Sequence, residues 1–110
     1  MSYQAEKFSV ARSCLMLPHT QGEAASIANA FHEIDLGLDR FEVPSDFSET
    51  GVRMLRDLKR LMSLEGLSDP NQEGLYTIRA RAMTVDEQAQ LSRLVDELTF
   101  LFDEHDRQRA

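Results

Sequence analysis

Tryptophan is absent, and cysteine occurs once, as Cys14. A lone thiol excludes an internal disulfide and suits a reducing compartment, so a cytoplasmic location is expected. Cys14 itself reads as a small core residue, because a catalytic thiolate needs a base placed beside it. No apolar run approaches the length of a membrane span. The opening MSYQAEKFSVARS has no basic segment leading into a long apolar one, so no signal peptide is expected. Catalytic signatures are missing as well. There is no glycine-rich phosphate loop, no nucleophile elbow, no His-Glu-x-x-His and no Cys-x-x-Cys. No cofactor or enzymatic activity is therefore expected. Basic residues are scarce: 12 Lys and Arg stand against 19 Asp and Glu, a net charge of −7. That balance disfavours general nucleic-acid binding, which requires phosphate neutralisation. Internal repeats, low-complexity tracts and linkers are also lacking, so residues 1–110 are expected to form a single domain.

What is present is helical periodicity. The strongest signal is Thr84 to His105. Thr84 and Glu87 have the spacing of a capping box, and Asp86 and Glu87 place negative charge in the first turn. Leu91, Leu94, Leu98, Leu101 and His105 then recur at steps of three and four, with Val95 and Phe102 widening the stripe. Phe100 breaks the pattern. It falls on the far side, among Arg93, Asp96, Glu97 and Glu104.

Three further helices are expected upstream. Residues 4–17 carry Phe8, Ala11 and Leu15 at helical spacing and stop before Pro18. A second helix starts at a Thr20–Glu23 capping box and repeats Ile27, Phe31, Ile34, Leu38 and Phe41, with Gly37 weakening its last turn. The third is capped by Ser45 or Ser48, carries Val52, Leu55, Leu58, Leu61 and Met62, and stops at Gly66. Residues 70–82 read two ways. Leu75 to Ile78 favours a strand, whereas Asp69-Pro70 and the phase of Leu75, Ile78 and Ala82 favour a helix or irregular turn. The expected fold is all-α, a small bundle of about four main helices with a short strand or extra helix at 70–82.

Three groups of side chains carry candidate chemistry. His32, Asp35 and Asp39 fall at i, i+3 and i+7 on one helix flank, a donor set suited to a divalent metal. The plainer reading is a solvated flank. The di-iron Glu-x-x-His pattern does not occur, since Asn29, Met16 and Phe102 stand three residues before His32, His19 and His105.

Arg53, Arg56 and Arg60, with Lys59, line one flank of the third helix, and Arg79 and Arg81 follow later. Read as a strand leading into a capped helix, residues 75–100 resemble the first half of a ribbon-helix-helix DNA-binding domain, which implies paired strands entering the major groove. That fold continues into a further helix, which this sequence does not supply. Pairing of the basic residues with the surplus acids is preferred, and nucleic acid is the alternative partner.

Finally, Leu36 lies opposite its helix's apolar stripe, as Phe100 does. Two long helices that each present apolar residues on two sides exceed what so short a chain covers internally. The expected function is therefore non-catalytic protein–protein association, as an adaptor, regulator or chaperone-like subunit. The contacts expected are Phe100 and Leu36, with a homodimer as the economical form.

Overall fold

The computed structural model describes residues 2–16 and 22–109. These form five helices: α1 (Tyr3–Met16), α2 (Glu23–Leu38), α3 (Glu49–Leu61), α4 (Leu75–Ala82) and α5 (Val85–Arg109). There is no strand among the described residues, and no helix among them is long and apolar enough to cross a membrane.

The chain of helix contacts runs α4–α2–α1–α5–α3. The weakly patterned first helix thus lies between the two strongly patterned ones. Its buried stripe is narrow and partly small, consisting of Ala5, Phe8 and Ala11. Alanine at two of three core positions lets α2 and α5 approach α1 from either side. The approach of α2 is close at Gly37, where a Cβ would stand 2.9 Å from Lys7 Cβ. Gln4 Nε2 donates to the Gly37 carbonyl at 3.2 Å. Gly37 therefore serves interhelical contact, and its low helix propensity is the cost of that contact. Ser26, buried on α2, donates through Oγ to the Cys14 carbonyl at 2.8 Å. Burial raises the Cys14 thiol pKa, with a further upward push from the Glu33 carboxylate, as befits a packing residue.

The core of the α1–α5 layer is aromatic. Phe102 on α5 meets Phe8 at 5.0 Å between ring centres, Phe47 at 5.3 Å and Phe41 at 5.5 Å. Phe41 and Phe47 both lie in the α2–α3 connection, so one ring of α5 gathers both ends of that loop. Phe41 was expected inside the second helix. The helix instead ends at Leu38, and Asp39 adopts an extended conformation. At the start of α2, Gly22 is the capping residue, with φ +100 and no side-chain cap bond. Thr20, the expected cap, lies outside the described residues, as does His19.

Local capping signals are realised elsewhere. Ser48 Oγ accepts from the Gly51 N–H at 3.0 Å and starts α3. At α5, the Glu87 N–H donates to Thr84 Oγ1 at 3.1 Å, and the Thr84 N–H donates to Glu87 Oε1 at 3.0 Å. Residues 70–82 resolve into a turn followed by a helix. Asp69 accepts from the N–H groups of Glu73 and Gly74 at 2.7 and 2.8 Å. Gln72 at φ +54 and Gly74 at φ +101 then break any helix begun at Pro70, and α4 starts at Leu75. With no strand there, the ribbon-helix-helix resemblance lapses.

The third helix also stops early, at Leu61 and not at Gly66. Its last turn is satisfied from a distance. Arg79 Nε on α4 donates to the Leu61 carbonyl at 2.7 Å. The same guanidinium reaches Glu87 Oε2 at 2.8 Å, the carboxylate that also caps α5. Arg79 thereby joins α3, α4 and the start of α5, closing the series of helices into a ring. Glu87 is held below the usual carboxylate range, first by the Thr84 N–H and then by Arg79.

Candidate functional site

The buried face of α5 comprises Leu91, Leu94, Val95, Leu98, Thr99 and Phe102. At 100° per residue, Phe100 falls nearly opposite the middle of that face. It is 64% exposed. On one side of it stands α1, tied on by an Arg12–Asp96 ion pair at 3.3 Å. On the other stands α3. Between them lies an open groove of ≈ 470 Å³. Its apolar surface is Phe100 and Leu101 from α5 and Met54 from α3, and its polar margin includes Thr50, Asp96 and Glu97.

The groove continues along α3 and α5 as a second depression of ≈ 370 Å³. Arg53 and Asp57 line it from α3, and Arg93 and Glu97 from α5. The two helices are antiparallel. Ser48, ahead of α3, faces Leu101 and Glu104 near the end of α5, while Arg79 links the Leu61 carbonyl to Glu87 at its start. Met54 and Thr50 were not singled out from the sequence as a site. Their signal is the spacing Thr50, Arg53, Met54, Asp57, which tracks the rim of α3 beside its buried stripe.

Leu36 is 49% exposed on α2 and does not line this groove. The two apolar residues expected to act together therefore do not share one site. The metal candidate is not assembled either. No group of three or more His, Cys, Asp or Glu side chains among the described residues is placed to hold a metal ion. His32 stands edge-on to Tyr76 of α4, 5.0 Å between rings. Asp39 lies beyond the end of α2, so the helical phase that would align it with His32 and Asp35 is lost. Burial raises the Tyr76 pKa, with a smaller push from Asp35.

The basic residues divide. Arg79 is committed to Leu61 and Glu87. Arg81 pairs with Glu73 at 3.2 Å. Arg60 is 3.8 Å from Asp57. Arg53 and Arg56 are exposed and form no ion pair among the described residues. His105 is a boundary residue. Its Nε2 lies 3.1 Å from Asp46 Oδ1, and its ring meets Phe47 at 5.7 Å.

Comparison with protein-family models, with curated proteins and with solved structures finds no match to this chain.

Proposed function

We propose that this protein is a non-catalytic association protein, an adaptor, regulator or chaperone-like subunit, whose contact surface is the outward face of α5 and the groove beside it. The observation that carries the reading is Phe100. A phenyl ring 64% exposed on the side of α5 turned away from the core adds little to the fold. Burying it against a partner is worth about 1.5–3 kcal/mol. Leu101 and Met54 supply an apolar floor beside it, and aromatic anchors beside such pockets dominate interface energetics. The single cysteine suits action in the cytoplasm.

A photo-reactive phenylalanine analogue installed at position 100, in the cell of origin, tests this. A cross-link to protein at position 100, absent when the probe replaces the exposed Asn29 on α2, is the expected result. If irradiation yields only uncross-linked chain, the α5 face is not a contact surface.

Nucleic acid is the second reading, favoured only by the unpaired, exposed Arg53 and Arg56 beside Lys59 and Arg60 on α3. With Arg79 and Arg81 turned to other partners, the basic surface contracts to one short helix. A titration against duplex DNA at several salt concentrations decides it, because phosphate contacts must weaken as salt rises.

A further inference from the structure

We infer that the occupant of the α5 groove is a second copy of this chain, related by a twofold axis running along the groove so that α3 of each copy lies over α5 of the other. The inference rests on the association reading above and adds the partner and its register.

The charge pattern of the groove is its basis. Because α3 and α5 are antiparallel, they can be compared level by level. Thr50 and Met54 stand level with Phe100 and Leu101, lining the wider part of the groove. Beyond them, Arg53 and Asp57 on α3 share the narrower part with Arg93 and Glu97 on α5. Along one direction α3 thus presents positive then negative charge. Along the same direction α5 presents negative Glu97 and then positive Arg93. A twofold axis parallel to the groove exchanges the two helices without shifting their levels. It sets Arg53 against Glu97 of the second copy and Asp57 against Arg93 of the second copy, and does so twice. The apolar level closes in the same operation, with each Phe100 turned toward Thr50 and Met54 of the other copy.

A surface of this kind is self-complementary, which an isologous contact requires. An axis perpendicular to the helices and centred on the charged level would also match charges, Arg53 with Asp57 on α3 and Glu97 with Arg93 on α5. It would set Phe100 and Met54 opposite a different stretch of the second copy, so the apolar level selects the parallel axis. Arg53, Arg93 and Glu97 form no ion pair within the chain among the described residues, so their charge is available for the contact. A standard interface covers about 800 Å² on each partner, roughly a ninth of the 7100 Å² surface of this chain.

Charge reversal tests the partner. The register is tested by mapping the cross-link from position 100, which is expected on α3 of the second copy near Thr50 and Met54; a cross-link to any other stretch of the second copy overturns the register. One variant carries Arg53→Glu with Arg93→Glu, which makes all four groove charges negative. The other carries Asp57→Arg with Glu97→Arg, which makes them positive. All four side chains lie at the groove surface, and circular dichroism checks that each variant keeps its helices. Sedimentation velocity on the wild-type chain is expected to show a dimer that weakens as salt rises. Each variant alone is expected to associate at least about a hundredfold more weakly, since like charges then meet at every level. An equimolar mixture is expected to recover association to within about tenfold of wild type, as a one-to-one heterodimer. A variant that misfolds alone is replaced by its single substitution, Arg53→Glu or Glu97→Arg, which reads the same contact. A wild-type chain that stays monomeric, variants that self-associate as wild type does, or a mixture that fails to recover each overturn the inference. The cross-link at position 100 separates the two failures, because a different protein caught there retains the association reading and removes the second copy.

Discussion

Arg79 offers the sharpest test of how this fold is held together. Its guanidinium donates to the Leu61 carbonyl at 2.7 Å and to the Glu87 carboxylate at 2.8 Å, with the side chain 18% exposed. Arg79→Met keeps most of the aliphatic stem and removes both bonds. A hydrogen bond from a charged donor contributes about 1.5–3 kcal/mol. The pair with Glu87, whose side chain is 32% exposed, is discounted for solvent to at most about 1 kcal/mol. The expected loss is about 2–3 kcal/mol. An unfolding entropy of about 2.1 cal/mol/K per residue converts this, for a chain of this size, into a fall in Tm of about 9–13 °C. Arg81→Met is the matched control. It lies two residues away and changes the net charge equally, but its pair with Glu73 is exposed on both sides, 58% and 40%. It should move Tm by no more than about 2 °C. Thermal melts followed by circular dichroism read both. Equal shifts for the two variants would refute the claim that Arg79 secures the ends of three helices.

Three other perturbations follow from the same geometry. Gly51→Ala puts a Cβ 2.5 Å from Phe47 Cε2, forcing that ring off Phe102. The gain in helix propensity is outweighed, and a net loss of about 1–2 kcal/mol is expected in a denaturant titration, whereas a gain would show that the loop yields freely. Glu87→Gln probes acid stability. Because the folded-state pKa of Glu87 lies below its ordinary 4.5, its stabilisation is complete above that value and is lost as pH falls through the lowered one. The Tm gap between wild type and variant should therefore narrow below pH 4.5, and a gap independent of pH would contradict the assignment. Phe100→Asp should leave Tm within about 2 °C of wild type when both are compared at a concentration where they are monomeric, as expected of an exposed site, while weakening association. If it unfolds the chain, Phe100 belongs to the core and the association reading falls with it.

The parts of this fold that were legible in the sequence are those decided within one turn. The Thr84–Glu87 box and the Ser48 cap depend on residues three apart, and the stripe of α5 repeats often enough to fix its phase. The end of α3 was not legible, because Arg79 satisfies Leu61 from 18 residues further along. Gly37 looked like a weak point of the second helix until Lys7, on a different helix, was seen to occupy the space a side chain would need. The His32, Asp35 and Asp39 alignment was lost for a related reason. It assumed that helical phase persists to Asp39, and α2 stops one residue short. Of the candidate site, the exposure of Phe100 followed from its position on α5 alone. Its neighbour Met54 could be found only once α3 was known to lie alongside.

The central place of α1 bears on the order in which the core can form. α1 is sandwiched between α2 and α5, and Phe8 completes its aromatic contact only with Phe102, 94 residues later. The α1–α2 hairpin can collapse early, since its contacts are local. The flank of α1 that carries Phe8 toward Phe102 then stays uncovered until α5 packs on it. Until α5 docks, the α1–α2 hairpin thus keeps an open apolar side, and α5 both completes the core and ends that exposure.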